Sequence, residues 1–208
     1  DAVARLAGAR YDLAGEEAAR TGEAREGILR IAGDPQPPAA LRPYLGVVRG
    51  LNEPGGPVLR YPGSPWIMRR MTRPQDRLLF CELHEDALRE LRRATAGDRR
   101  IEVRKADGWI ALKSDLPPAE RRGLVLVDPP FEARDEHARL ARGLRHAHRR
   151  FATGVLLGWY PVKTRAPVEA MLADIVASGM RRVAVVELLV REAADDGGQV
   201  LEPAPGRG

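Results

Sequence analysis

Short apolar runs alternate with amphipathic stretches from about residue 77 to residue 190, and this alternation constrains the fold more than any other feature of the chain. Apolar runs of about four to eight residues are typical of buried strands, and amphipathic stretches between them are typical of crossover helices. The run Leu124–Val127 is continuously apolar, as a central parallel strand is when both of its faces are covered. The pattern therefore predicts an α/β protein with a doubly wound parallel sheet.

The alternation also gives the order of the expected elements. Strands are predicted at Leu78–Cys81, Ile101–Arg104, Leu124–Val127, Val155–Trp159 and Val183–Val190. Helices are predicted at Ala87–Thr95, Trp109–Leu112, Glu136–Arg150 and Ala166–Ala177, the last closed by Ser178 and Gly179. A helix follows each of the first four strands, which is the order of repeated βα units.

Residues 1–72 show a different pattern, in which helical stretches are separated by proline-rich breaks. Helices are predicted at Glu16–Ala32 and Ala39–Leu51, and no strand is expected among these residues. Ser64 is expected to cap a further helix that has Pro65 at its first position. This region is therefore predicted to be a helical insertion attached to the sheet domain.

The composition excludes several classes of protein. The chain has 208 residues, a formal net charge of +5 and a single cysteine. Cys81 lies inside a predicted strand, where it is expected to be a buried small hydrophobe, and one cysteine forms neither an intrachain disulfide nor a cysteine-based zinc site. No apolar run reaches the roughly 18 residues that a membrane-spanning helix needs. We expect a soluble, cytoplasmic, monomeric protein that uses no metal ion.

The positive charge is carried almost entirely by arginine, because only three of the 34 basic residues are lysines. The planar guanidinium group suits bidentate phosphate contacts and stacking on bases. Pairs of arginines recur along the chain, for example at Arg69-Arg70 and Arg149-Arg150. Ordinary solvated helix surfaces explain the same pattern, so charge alone leaves a nucleic-acid surface and a solvated surface equally open.

The segment Asp128-Pro129-Pro130-Phe131 follows directly after the most apolar predicted strand. In an open α/β sheet, ligands bind beyond the carboxyl ends of the strands, which is where this segment lies. The two prolines hold the backbone extended and project carbonyl groups, so the Asp128 carboxylate and the Pro129 carbonyl can accept hydrogen bonds from an exocyclic amine. The ring of Phe131 can stack on the base that carries this amine. The alternative is a strand-ending turn with a phenylalanine in the core.

This segment resembles the D-P-P-Y/F signature of amino-group methyltransferases that use S-adenosylmethionine, which implies that other strand ends bind this cofactor. Glu82 ends one predicted strand, where a carboxylate can hold ribose hydroxyls. Asp107 ends the next strand, where a carboxylate can accept from the adenine amine, and Gly108 allows close approach. Either acid alone is more typical of a helix cap or a surface charge. Three consecutive strands that end in an acid favour the joint interpretation.

Eight segments make the chain similar to the bacterial 23S ribosomal RNA adenine-N6 methyltransferase family, from about residue 8 to residue 191. The segments are Ala19-Arg20-Thr21-Gly22-Glu23, Arg60-Tyr61-Pro62-Gly63-Ser64-Pro65, Glu82-Leu83-His84, Lys105-Ala106-Asp107-Gly108, Arg121-Arg122-Gly123-Leu124, Asp128-Pro129-Pro130-Phe131-Glu132, Arg150-Phe151-Ala152-Thr153-Gly154 and Trp159-Tyr160-Pro161. The resemblance implies a Rossmann-like domain with a helical insertion, S-adenosylmethionine as donor, 23S rRNA as partner and Asp128 as the catalytic residue. It also implies that the residues in contact with the cofactor are Ser64, Glu82, Asp107, Gly108 and Asp128. Phe131 stands where the family usually has tyrosine.

Both ends of the chain depart from the family's pattern. The family has a first strand and a full glycine-rich turn, of which this chain has only Ala7-Gly8-Ala9-Arg10-Tyr11. Gly8 is the cofactor-binding position that remains, and we expect that the sequence lacks segments of the natural protein. The expected organisation is a remnant of the cofactor loop at 1–13, a helical insertion at 14–72, a Rossmann-like domain at 73–192 and a loose tail at 193–208.

The predicted reaction is direct methyl transfer to N6 of an adenine that has been taken out of its stack. Asp128 and Pro129 accept hydrogen bonds from N6, Phe131 stacks on the base, and the expected phosphate contacts are Arg69, Arg70, Arg73 and the arginines of 145–150. Two alternatives stay open. One is a DNA adenine or cytosine amino-methyltransferase, and the other is a non-catalytic RNA-binding module with a decayed donor site.

Three other features are weaker candidates for function. His146 and His148 are two residues apart and point in different directions on a helix, which favours a solvated basic helix over a metal pair. His84 is expected at the start of a helix. Trp109 and Trp159 are expected in the core, and the alternative for Trp159 is that it lines the base pocket.

Overall fold

The computed structural model describes residues 10–13 and 23–187, which form a mixed α/β chain. Its strands are β1 (Arg10–Asp12), β2 (Arg60–Pro62), β3 (Leu78–Glu82), β4 (Ile101–Lys105), β5 (Leu124–Val127) and β6 (Val155–Gly158). Its α-helices are α1 (Glu23–Glu26), α2 (Ile28–Ala32), α3 (Arg42–Arg49), α4 (Ser64–Met71), α5 (Glu85–Thr95), α6 (Gly108–Ser114), α7 (Glu136–Arg150) and α8 (Arg165–Ala177), and a 3-10 helix covers Ala39–Leu41. A helix follows each of β3, β4, β5 and β6, which confirms the repeated βα order.

Hydrogen bonds join the strands in three separate pairs. The pairs β3–β4 and β5–β6 are parallel, with Glu82 opposite Lys105 and Val127 opposite Gly158 at their carboxyl ends. The third pair, β1–β2, is antiparallel. Among residues 10–13 and 23–187, no ladder joins β3–β4 to β5–β6. The structure therefore confirms parallel α/β pairing but not a single doubly wound sheet.

The region before β3 differs from its sequence-based prediction in three ways. It contains β1 and β2, although no strand was expected, because three-residue strands are too short to show an alternating pattern. Of the predicted helix Glu16–Ala32, the described part is two short helices that meet at Gly27, a residue of low helix propensity. The cap of α4 is Gly63 rather than Ser64, which is the first helical residue.

The predicted strand Val183–Val190 is wrong for residues 183–187, which the structure describes without any strand ladder, and the other three residues lie outside the described part. A strand needs a partner to pair with, and the apolar pattern of one segment does not supply it. Cys81 also differs from its prediction, because its side chain is half-buried rather than fully buried.

The core lies between α7, α8 and one face of the β5–β6 pair. The buried residues in it are Leu140, Ala141, Leu144, Val168, Met171 and Ile175, with Val127 and Leu156 packed against them. Full burial of one such leucine or valine contributes about 1.5–3 kcal/mol. The opposite face of the pair carries Leu124, Leu126, Val155 and Leu157, which are exposed in the described structure. Both faces of the strand Leu124–Val127 were predicted to be covered, but in the described structure only one face is.

Gly143 lies on α7 where side chains of α6 pack against it. A Cβ atom at this position would lie 2.5 Å from Cζ3 of Trp109 and 2.9 Å from its Cε3. A glycine therefore lets the indole ring pack directly on the helix backbone. Gly46, in the interior of α3, has no atom within 4 Å of the corresponding position.

We expect Gly143→Ala to destabilise the protein by about 1–2 kcal/mol, because overpacking costs about 1–3 kcal/mol and the better helix propensity of alanine returns up to about 1 kcal/mol. Gly46→Ala is the matched control and is expected to stabilise the protein by up to about 1 kcal/mol. Urea unfolding of both variants measures the difference. Equal stability changes in the two variants would contradict the packing of Trp109 on Gly143.

Candidate active site

Two of the predicted strand-end acids lie side by side, because β3 and β4 are neighbours in register. The backbone N–H of Ala106 donates to the carbonyl oxygen of Glu82 at 3.3 Å, so the chain leaving β4 passes next to the end of β3. Asp107 follows one residue later and begins α6 as its cap. The structure therefore brings Glu82 and Asp107 to the same edge.

Each of these acids also accepts a hydrogen bond from the backbone near the start of the following helix, and Asp107 is the cap of its helix. Oε1 of Glu82 accepts a hydrogen bond from the backbone N–H of His84 at 2.8 Å, at the start of α5. Oδ1 of Asp107 accepts from the N–H of Trp109 at 2.7 Å. Gly108, the first residue of α6, is exposed and has open space around it. Each carboxylate therefore keeps a second oxygen that this hydrogen bond does not use.

Asp128 differs from both, because its side chain has no hydrogen bond or ion pair within the described part of the chain. It follows β5 and is exposed to solvent, yet the surrounding protein removes enough water to raise the pKa of its carboxyl group above the usual value. Burial is the cause of this shift in pKa. Asp128 is thus an acceptor that is partly desolvated and not used by the fold.

The loop after Asp128 has an unusual backbone conformation at Phe131. Its φ of 53° lies in the left-handed region, which a bulky residue rarely adopts and which costs about 1–3 kcal/mol. The ring of Phe131 is half-buried, with its centroid 4.8 Å from that of His137 and 6.0 Å from that of Trp159. Pro129 is buried and Pro130 is exposed. Phe131 therefore packs in part against the core, as predicted by the alternative of a strand-ending turn with a core phenylalanine. Its ring also packs against other aromatic rings.

Trp159 lies beside this loop rather than in the core. Its backbone N–H donates to the carbonyl oxygen of Val127 at 3.0 Å, which places it next to Asp128, and its side chain is 53% exposed. Trp109, by contrast, is half-buried and packs against α7, as predicted.

Sequence reasoning missed three residues on the first turns of α7. Glu136 is 3% exposed and accepts a hydrogen bond from the N–H of Phe131 at 2.9 Å. Arg139 lies 3.7 Å from Oδ2 of Asp107 and His137 packs on Phe131. The only signal for them in the sequence was their position at the start of a helix that follows the Asp128 loop.

The remaining predicted positions are not joined to this site. No hydrogen bond or ion pair within residues 10–13 and 23–187 connects Ser64 with Glu82, Asp107 or Asp128. Gly8 lies outside the described residues. His84 does begin α5, as predicted.

The expected RNA contacts differ in how far the fold uses them. Arg69 donates to the carbonyl of Ala94 at 2.7 Å and pairs with Asp98, Arg145 pairs with Asp174 at 2.6 Å, and Arg150 donates to the carbonyl of Leu116 at 2.8 Å. Arg70 and Arg149 are exposed with no ion pair among the described residues. Arg73 is exposed and pairs with Asp76. The side chains accessible to a partner are therefore Arg70, Arg73 and Arg149.

The described residues contain neither a set of metal ligands nor a helix that could span a membrane. No three His, Cys, Asp or Glu side chains lie close enough together there to hold a metal ion. None of the described helices is both long enough and apolar enough to cross a membrane.

The parallel βα units and an Asp-Pro-Pro-aromatic loop at a strand end are the features of an α/β methyltransferase domain. A family model described as "Ribosomal RNA large subunit methyltransferase D, RlmJ" matches residues 4–200. The chain belongs to this family of ribosomal RNA methyltransferases.

Two relatives carry a ribosomal RNA methyltransferase name, and one solved structure is similar in fold. The "Ribosomal RNA large subunit methyltransferase J" of Escherichia coli K12 is 43% identical over 186 residues, which are 89% of this chain and 66% of the relative. The protein of the same name from Haemophilus influenzae is 36% identical over 189 residues, 91% of this chain and 67% of the relative. The chain thus spans about two thirds of the length of these relatives. The crystal structure of LPL1258 from Legionella pneumophila superposes with a TM-score of 0.74 at 32% identity, covering 81% of this chain and 61% of that one.

The raised pKa of Asp128 gives a prediction for stability. The raised pKa means that the folded state holds the proton of the Asp128 carboxyl group more tightly than the unfolded state does. Folding stability therefore falls as pH rises above the usual aspartate pKa of 3.8. We expect Asp128→Asn to be more stable than wild type at pH 7 and to lose this advantage below about pH 4, where both states are protonated. Urea midpoints at the two pH values measure this. An equal advantage at both values would contradict the shift.

Proposed function

We propose that this chain carries the catalytic site of an S-adenosylmethionine-dependent enzyme that methylates N6 of an adenine in 23S ribosomal RNA. The observation that carries the proposal is Asp128, an exposed but partly desolvated carboxylate that has no hydrogen bond or ion pair in the described structure. It lies at a strand end, in a D-P-P-aromatic loop. An exocyclic amine supplies the hydrogen bonds that this carboxylate lacks. The family membership and the names of the relatives give the substrate class.

The residues at the ends of β3 and β4 fit the donor. Glu82 has a second carboxylate oxygen for ribose hydroxyls, Asp107 has one directed toward Arg139 and available to an adenine amine, and the open space at Gly108 allows a nucleoside to approach the backbone. When bound there, S-adenosylmethionine supplies an electrophilic methyl group. Ser64 and Gly8 remain proposals on the resemblance alone.

The acceptor side is formed by the loop after β5. Asp128 and the Pro129 carbonyl accept hydrogen bonds from the adenine amine, which aims the nitrogen lone pair away from them and toward the methyl group. Phe131 stacks on the base, with Trp159 beside it at the same strand ends. Because burial raises the pKa of Asp128, its carboxylate can take the proton that the amine loses. Positioning of two bound partners supplies most of the acceleration.

We also infer that the two parallel pairs belong to one Rossmann-like sheet, with residues 14–72 as an insertion and 73–192 as the methyltransferase domain. Helix α7 supports this, because it covers β6 while Arg139 on its surface reaches Asp107 at the end of β4. The similarity to the crystal structure of LPL1258 supports it as well.

The surface proposed for RNA is a groove of about 580 Å³ between α6 and α7. It begins at Asp107, close to the donor side of the site, and its lining is rich in cationic side chains: Lys113, Arg139, Arg142, Arg145 and Arg149, with His146 among them. Burial lowers the pKa of His146, and the nearby Arg149, Arg150 and Lys113 lower it further. Arg139, Arg142 and Arg145 pair with acids. Lys113 and Arg149 have no ion pair among the described residues, and a phosphate backbone is a ligand that matches these cations.

Replacing Asp128 by alanine tests the proposed chemistry. In the full-length protein, we expect Asp128→Ala to lower kcat about 10³-fold or more while S-adenosylmethionine still binds, because one preorganised contact to the reacting group is worth about 10²–10³ and proton acceptance adds to it. The assay measures methyl incorporation into 23S rRNA from cells that lack the protein, with calorimetry for the donor.

Asp86→Ala is the matched control, because Asp86 is an exposed acid on α5. We expect this variant to be as active as wild type. Wild-type activity in Asp128→Ala would remove Asp128 from its role. Incorporation into duplex DNA but not rRNA would favour a DNA amino-methyltransferase, and no heat with the donor would favour a binding module.

Arg149→Gln tests the RNA surface. Loss of one phosphate contact should weaken rRNA binding and reduce the slope of log K against log salt by about 1. Arg92→Gln, an exposed arginine on α5, is the control and should leave the slope unchanged. Filter-binding or fluorescence titrations at several salt concentrations measure the slope. Equal slopes in wild type and Arg149→Gln would place the RNA elsewhere.

A further inference from the structure

Glu136 is a buried charge, which is unusual enough to need an explanation. Among the described residues it is the charged side chain found in the buried class, with 3% of its surface exposed. A buried carboxylate is costly unless it is paired and hydrogen-bonded. It lies at the first position of α7, five residues after Phe131. The fold therefore keeps a negative charge directly behind the Asp128–Phe131 loop.

Both oxygens of Glu136 are used, and each faces a different group. Oε2 accepts a hydrogen bond from the N–H of Phe131 at 2.9 Å. Oε1 lies 3.7 Å from Nη1 of Arg139, which is one turn further along α7. Proline has no backbone N–H, so the N–H of Phe131 is the first donor after Pro129 and Pro130. Glu136 therefore holds the loop at the residue whose backbone is left-handed.

Arg139 extends this arrangement to the donor side of the site. Its Nη2 atom lies 3.7 Å from Oδ2 of Asp107, and its guanidinium carbon lies 4.9 Å from the centroid of the Trp109 ring. Stacking on Trp109 limits where the guanidinium can lie. One side chain thus approaches both Glu136, behind the loop that follows β5, and Asp107, just after the end of β4.

We propose that the first turn of α7 is the positioning element of the active site. Glu136 fixes the Asp128–Phe131 loop in the conformation that receives the target base, and Arg139 ties the same turn to Asp107 on the donor side. This inference rests on the proposed function. Glu136 and Arg139 are positioning residues, since they act through Phe131 and Asp107.

The two residues should have different kinetic signatures. Glu136→Ala removes the acceptor for the Phe131 N–H, so we expect kcat to fall about 100-fold, as misplacement of a reacting group by about 1 Å can do, with the KM for S-adenosylmethionine unchanged. Arg139→Gln removes an exposed ion pair with Asp107, so we expect the KM for S-adenosylmethionine to rise up to about fivefold with a smaller change in kcat.

A second readout does not depend on turnover. In NMR hydrogen exchange, the Phe131 amide should exchange faster in Glu136→Ala than in wild type, while the amides of Leu140 and Ala141 in the same helix keep their protection. Glu136→Gln retains an acceptor oxygen and should recover part of both the protection and kcat. Glu169→Gln, an exposed acid on α8, is the control that should change neither.

The outcomes separate the inference from the proposed function. Unchanged exchange at Phe131 in Glu136→Ala overturns the inference, and so does an unchanged kcat in an active protein. Loss of protection along all of α7 together with lost turnover would make Glu136 merely structural and also overturn it. If wild type transfers no methyl group, the proposed function fails, and the exchange at Phe131 still decides whether Glu136 holds the loop.

Discussion

The Asp128–Phe131 loop keeps its shape only if groups outside it supply the hydrogen bonds, because its two prolines have no N–H groups. The first donor that follows is the N–H of Phe131, and it is bound by the buried carboxylate of Glu136. The contact with Glu136 and the packing of the ring hold the backbone of Phe131 in its left-handed conformation. Strain of this kind is found at binding and catalytic sites, where the surrounding structure determines the conformation.

Helix α7 therefore has two roles, and both depend on the position of the helix. Its buried side packs against α8 and β6 through Leu140, Ala141 and Leu144. Its first turn holds the loop and reaches Asp107 through Arg139. Because protein cores are close-packed, a shift of the helix in the core is transmitted to the loop. The packing of Trp109 on Gly143 belongs to the same constraint, since it sets how closely α6 and its cap Asp107 approach α7.

The sequence was sufficient to predict the elements that a local pattern of apolar residues defines. The strands β3 to β6 are short and mostly apolar, the helices α5 to α8 follow them in turn, and each element lies within a few residues of its prediction. Whether a segment forms a strand depends on a partner that can be distant in sequence. The local pattern therefore gave the wrong prediction for β1, β2 and residues 183–187. Glu136 and Arg139 escaped notice for a related reason. An acid and an arginine on a helix are ordinary surface residues until the fold places them against Phe131 and Asp107.

The strand-end acids differ in how far the fold uses their carboxylates. Asp107 caps α6 through Oδ1, and Glu82 accepts a hydrogen bond from the N–H of His84 through Oε1. In each, the other carboxylate oxygen takes no part in that bond. Asp128 caps nothing, and within the described residues no group pairs with it, so its desolvation is uncompensated and its pKa is raised. In the proposed function, the amine of the target base supplies the partner that Asp128 lacks. Glu82 and Asp107, each held by one backbone hydrogen bond, are in that proposal the contacts to the cofactor, and Asp128 is the contact to the reacting amine.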